Sequence, residues 1–198
     1  MSTSEFIQNS ALLIGFITVV YFAARSIARV GDFLSARKLA PFAPVIGGSA
    51  DPKRGVLRGT HRGRAVEVAF SPKHTAGSDD AATHFKAFHV RVLNSVGKSD
   101  WWLRYHVSGA LGQGPKRLVA YAHDPQLAAR LRSSGIVEEV EAVNAGMETY
   151  VAVRFESFSK VLTYTDDVSP RTLPTLDTFK QQLEIAVRVA AVNEELNR

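Results

Sequence analysis

Residues 11–24 read ALLIGFITVVYFAA, fourteen positions without a charged side chain. The apolar run extends back to Phe6 if Gln8, Asn9 and Ser10 sit near an interface. Phe6 to Ala24 makes roughly 28 Å of helix at about 1.5 Å per residue, close to a hydrocarbon core of about 30 Å. The preceding MSTSEFIQNS lacks the Lys or Arg of a secretory n-region. Residues 11–24 also lack the charged face of a helix lying on a membrane. The expectation is a single transmembrane helix with a basic juxtamembrane extension, residues 1–39.

Charge gives the orientation. Nine Lys and Arg against two Asp fall between Arg25 and Arg64, directly after the apolar run, whereas the rest of the chain is close to neutral. Positive charge is retained on the cytoplasmic side, so the N-terminus is expected outside and the following domain in the cytoplasm, at a bacterial inner membrane. Arg25, Arg29, Arg37 and Lys38 are the candidate contacts to anionic lipid headgroups, each contributing on the order of 1 kcal/mol near the surface. The helix is expected to continue past Arg25, because Ile27, Val30 and Leu34 recur at near-helical spacing. Within the span, Ala11 and Gly15, with Thr18 one turn on, form a small-residue stripe that would let a partner helix approach closely.

Over all 198 residues hydrophobic content is 45%, charged content 22%, and there is no Cys, so the chain can hold one ordinary globular domain besides the apolar run. Disulfides, thiolate metal sites and cysteine nucleophiles are thereby excluded. Residues 40–55, with Pro41, Pro44, Gly47, Gly48 and Pro52, read as a Pro/Gly-rich linker. Residues 56–198 read as an α+β domain. Val56 to His61 and Arg64 to Phe70 flank an Arg62-Gly63 turn, and alternating strands follow at residues 84–94, 101–107, 118–123, 149–155 and 160–165. Asp124, Pro125 and Gly135 punctuate a helix carrying Leu127 and Leu131. Residues 136–143 fit either a helix or a strand. A long helix is expected from Thr175 to about Leu196. Strand pairs interrupted by helices imply a mainly antiparallel sheet covered by helices.

Chemical motifs are sparse. The run Gly109, Gly112, Gly114 leads into Pro115-Lys116-Arg117 and a strand rather than opening a helix, so it reads as a hairpin loop and not a phosphate cradle. The six histidines show no metal-ligand spacing, and the pairs Asp166-Asp167, Glu138-Glu139 and Asp79-Asp80 are adjacent rather than facing. No cofactor or metal is expected.

Two features point to partners. If Trp101 faces the core with Leu103 and Tyr105, Trp102 faces outward with Arg104 and His106, and Trp and Arg are enriched in binding hot spots; the bland alternative is that a helix of the domain covers Trp102. On the C-terminal helix, Leu176, Phe179, Leu183, Ala186, Val187 and Ala190 share a core face. Ile185, Val189, Val192 and Leu196 form a second apolar stripe, to be covered by the domain itself or by a partner.

In plan the chain resembles the H subunit of a photosynthetic reaction centre, with one N-terminal span and a mostly β cytoplasmic domain; the likeness is one of layout, and no residue is carried over from it. With no catalytic constellation in the sequence and a folded part close to neutral, the expectation is a non-enzymatic accessory or assembly subunit of a larger membrane complex, whose partners are other membrane-protein subunits and anionic lipid, with no nucleic acid. The rivals are a membrane-tethered enzyme using the region of His106 and His123, and a lipid-binding or tethering module.

Overall fold

The computed structural model describes residues 3–73, 85–107, 116–144, 150–167 and 173–198. Helix α1, Thr3–Leu39, is uninterrupted. No Pro precedes Pro41, and in an apolar medium a helix is the one local structure that satisfies all its own backbone groups. Leu13, Ile14, Phe16, Ile17, Val19 and Val20 are exposed around its circumference. The helix is long and apolar enough to cross a membrane. Its last turns behave differently, for Ala36 and Leu39 are buried against the rest of the chain.

Residues 40–55 do not form a free spacer. Pro41 and Pro44 stop the α-helix but permit a tighter 3-10 helix, Ala40–Ile46, which ends at Gly47 in the left-handed conformation, φ 54°. Phe42 and Ile46 on it are buried, and Phe42 packs against Phe88 and Phe179 with ring centroids 5.9 and 4.7 Å away. Strand β1, Ser49–Asp51, then pairs with β2, Val56–His61. Where the chain crosses itself, Gly48 and Gly59 lie backbone to backbone. A Cβ on Gly59 would come within 2.3 Å of the Ile46 carbonyl oxygen.

Beyond β2 come β3, Arg64–Lys73, β4, Phe85–Val92, β5, Trp101–Val107, and β6, Lys116–Ala122. Helices α2, Pro125–Ser133, and α3, Ile136–Asn144, precede β7, Tyr150–Glu156, and β8, Val161–Asp167, and α4, Leu176–Leu196, ends the chain. Among the described residues the sheet has eight strands in the order β1-β2-β3-β4-β8-β7-β5-β6, every neighbouring pair antiparallel. The architecture is α+β, as the strand and helix pattern implies.

The period of two divides the sheet into an inner and an outer face. Val68, Val90, Tyr164, Val153, Leu103 and Ala120 lie inward and are buried beneath α2, α3 and α4. The helix starts follow the local sequence: the Asp124 carboxylate accepts from the Gln126 N–H at 2.9 Å with Pro125 at the first helical position, and Thr175 Oγ1 accepts from the Thr178 N–H at 3.1 Å. Gly135, φ 76°, supplies the left-handed residue between α2 and α3. Residues 136–143 resolve as helix because Val137 and Val140 bury with Ile136. The Asn144 side chain joins that helix to the sheet, accepting from the Tyr164 hydroxyl at 2.7 Å.

On α4, Phe179, Leu183, Ala186, Val187 and Ala190 are buried as expected, but Leu176 is 45% exposed. It is the first residue of the helix, immediately after the Thr175 cap. The second stripe is covered by this chain's own α2 and α3: Ile185, Val189 and Val192 are buried and Leu196 is half-buried. Of the two covers the sequence allows, the domain itself supplies this one: Ile185, Val189 and Val192 are core and Leu196 packs against it.

Candidate functional site

The outer face of the sheet is where exposed side chains gather. Register places Arg58, Glu67, Arg91, Thr163, Arg154, Trp102 and Tyr121 in one row across seven strands, β2 to β6. At one end Glu67 is buried between two guanidinium groups. Arg58 donates to its Oε2 from Nη2 at 2.7 Å and from Nε at 2.9 Å, and Arg91 Nη1 donates to Oε1 at 2.8 Å. Burial alone would disfavour the carboxylate, but these hydrogen bonds outweigh it and hold the Glu67 pKa below the ordinary range.

The other end of the row is aromatic. Trp102 stacks on Tyr121, ring centroids 6.1 Å apart and planes 15° off parallel, and meets the His123 ring edge-on at 5.6 Å. The Arg104 guanidinium lies 4.6 Å from the centre of the Tyr121 ring, a cation–π contact. Asp100, Trp102, Arg104, His123 and Arg154 border a shallow cavity of about 400 Å³. The Asp100 carboxyl is held below its usual range by hydrogen bonds from the Ser157 hydroxyl at 2.6 Å and N–H at 2.7 Å.

The two halves of this face differ in cover. Val56 and Ala69 belong to it yet are buried, because the last turns of α1 lie over them. Asp32, Leu34 and Lys38 of α1 share a cavity of about 560 Å³ with Val56, Ala69 and Arg91. The chain then passes around the β1 edge, so that Phe42 reaches the inner face. Helix α1 thus stands on the outer side of the sheet and α2, α3 and α4 on the inner side. Over β5 to β8 no helix among the described residues covers the outer face, leaving Trp102 half-buried and Arg104 and Arg154 exposed.

The expected pair Trp102 and Arg104 is therefore brought together, both against Tyr121, and no helix among the described residues covers Trp102. Tyr121 and His123 are additional members that the strand pattern of β6 alone does not single out. They join the cluster through the β5–β6 register, Trp102 opposite Tyr121. His106 and His123 are not brought together. His106 pairs with Arg117, while His123 lies beyond the Trp101–Ala122 pair at the opposite end of the hairpin, about 20 Å away by strand rise.

On α1, Gly15 and Thr18 are exposed, and Thr18 Oγ1 already donates to the Ile14 carbonyl at 2.8 Å. The side chain of Ala11 lies outside the described residues, as do Gly109, Gly112, Gly114, Asp79, Asp80, His74 and His84. Arg25, Arg29, Arg37 and Lys38 are all exposed but extend over about 20 Å of helix, so an upright α1 cannot place them at one depth. Arg25 Nη1 donates to the Tyr21 hydroxyl at 2.9 Å.

Among the described residues no group of three His, Asp or Glu is placed to hold a metal. A groove of about 640 Å³ beside α4 has aliphatic walls at Val143, Ile185, Val187 and Ala191, and its rim cations Arg62 and Arg188 pair with Glu184 and Glu139. No family model matches the chain, and neither curated proteins nor solved structures give a significant match.

Proposed function

We propose that this chain is a single-pass, membrane-anchored accessory subunit of a larger bacterial membrane complex, with a binding rather than a catalytic role. Helix α1 crosses the inner membrane with the N-terminus outside, and the α+β domain lies in the cytoplasm. The observation that carries the reading is the uncovered half of the outer sheet face. Its Trp102, Tyr121, His123, Arg104 and Arg154 lie on the side from which α1 rises, so they point towards whatever stands beside the anchor. Aromatic side chains flanked by Arg give large contact area together with charge-assisted hydrogen bonds. The chemistry favours a partner with an acidic, partly apolar surface. Gly15 and Thr18 offer that partner a close approach within the bilayer.

Extraction in mild detergent, native electrophoresis and mass spectrometry test this. A stoichiometric complex is expected, and Trp102→Ala with Arg104→Glu should dissociate it while leaving the chain in the membrane. A solitary chain, or a complex indifferent to both substitutions, would contradict the reading.

A further inference from the structure

One face of α1 turns towards the domain, and it changes character along its length. Arg25, Arg29, Asp32, Ala36 and Leu39 recur at alternating spacings of four and three, which places them on one side of the helix. Ala36 and Leu39 are buried against the rest of the chain. Asp32 stands at the turn between β1 and β2, its Cα 3.0 Å from where a Cβ on Gly55 would lie. Arg29 and Arg25 continue the same face beyond that turn, and both are exposed.

The turn presents cations of its own to this corner. Lys53 and Arg54 immediately precede Gly55 and are exposed. Arg58, Arg62, Arg64, Arg91, Arg154 and Arg188 each pair with a glutamate, whereas Arg29, Lys53 and Arg54 have no ion pair among the described residues. Two carboxylates stand nearby. Asp32 borders a cavity with Arg54, and Asp51 Oδ1 accepts from the Lys53 N–H at 2.9 Å. Four cations against these two carboxylates leave the corner positive.

We infer that the corner between α1 and the β1–β2 turn binds the headgroup of an anionic phospholipid, in the leaflet from which α1 emerges. Asp32, level with Gly55, lies eight positions past Ala24, about 12 Å below the hydrocarbon edge for an upright helix. The headgroup layer fills about 5–7 Å of that distance, and extended Lys and Arg side chains bridge the rest. Arg25 and Arg29 stand within or at the lower border of that layer. A phosphodiester therefore meets guanidinium groups from both the helix and the turn, and their planar donor fork suits phosphate oxygens.

Arg37 and Lys38 lie about 20 Å past Ala24, too far from the leaflet to join them. The lipid-facing collar is thus shorter along α1 than the sequence implies, and the folded domain completes it. A leaflet fits this corner better than a soluble phosphate or an acidic protein, because the span itself sets a leaflet above it. The inference rests on the spanning reading of α1 and adds to it a lipid site on the domain.

The chain contains no Cys, so a single dansyl label can be placed at Pro52→Cys in the full-length protein. In dodecyl maltoside micelles the labelled chain is titrated with dioctanoyl phosphatidylglycerol, dioctanoyl phosphatidylcholine or inorganic phosphate. A saturable emission change is expected at several-fold lower concentration with phosphatidylglycerol than with phosphatidylcholine, and none with inorganic phosphate over the same range. Lys53→Gln combined with Arg54→Gln should abolish that preference. Arg37→Gln combined with Lys98→Gln removes the same charge from exposed positions, Lys98 lying beyond the opposite end of β4, and should leave the preference intact. An unchanged Tm in both double variants checks the fold. No preference for phosphatidylglycerol, an equal response to inorganic phosphate, or equal loss in the two double variants would overturn the inference. Alkaline carbonate extraction of the unlabelled chain from native membranes tests the span separately, and release would remove the spanning reading and the inference with it.

Discussion

Asn193 and Glu67 are buried polar side chains that each hold other segments of the chain through hydrogen bonds. Trp101 is fully buried and stacks on Phe155 with centroids 6.3 Å apart. Its indole N–H donates to Asn193 Oδ1 at 2.7 Å, and the Asn193 amide donates to the Val96 carbonyl at 2.6 Å. Asn193→Leu should cost about 1–3 kcal/mol, because the indole N–H then has no acceptor in the core; chemical unfolding of the detergent-solubilised chain measures it. Glu67 adds a pH dependence. Its pKa is lowered in the folded chain, so the associated stability is present at neutral pH, above the unfolded carboxylate range, and is lost as pH falls through the lowered value. Glu67→Gln should therefore reduce the Tm at pH 7, with the gap closing below about pH 4, since a protonated Glu resembles Gln. A gap that stayed constant with pH would assign the effect to packing. The outward Trp102 is legible from strand alternation alone, but Asn193 as the partner of Trp101 is not, because nothing local encodes a contact across 92 residues.

At the level of elements, α4 shows why an amphipathic pattern does not name its cover. Its two apolar stripes are plain in the sequence, and both turn out to be buried, one on the sheet and one beneath α2 and α3. Covering the second stripe required residues 136–143 to be helix, a segment whose spacing suits either helix or strand. Val189 is fully buried. Val189→Glu should therefore lower stability by more than about 3 kcal/mol, by placing an unpaired carboxylate in the core. Loss of soluble, cooperatively melting protein is the expected result; an unchanged Tm would show that this stripe is exposed. Residues 40–55 teach a related lesson. Their Pro and Gly content does exclude long regular elements, but it does not make a loose tether, because Phe42 and Ile46 carry enough apolar surface to bury. The β5–β6 cluster was legible by half: Trp102 and Arg104 lie on one strand, whereas Tyr121 and His123 join them only through the pairing register of β5 with β6.

For the whole molecule, the joint between α1 and the domain is packed rather than loose. Helix α1 runs into the sheet, Ala36 and Leu39 are buried, and Phe42 sits between Phe88 and Phe179. These contacts tie the outer sheet face to the end of α1. Phe42→Ala should cost about 3–5 kcal/mol at a core aromatic site, and should weaken partner retention through loss of that tie although Phe42 is remote from Trp102. The proposed placement in the cell rests on charge: the exposed cations of α1 all lie after the apolar run, and positive charge is retained on the cytoplasmic side of a span. The most direct measurement of the account is protease protection of the full-length chain in two preparations of sealed membranes, right-side-out spheroplasts and inverted vesicles, after an alkaline carbonate control. The α+β domain should survive intact in spheroplasts and be digested in inverted vesicles, with the chain resisting carbonate. Digestion of residues 56–198 in spheroplasts, or release of the chain by carbonate, would contradict it.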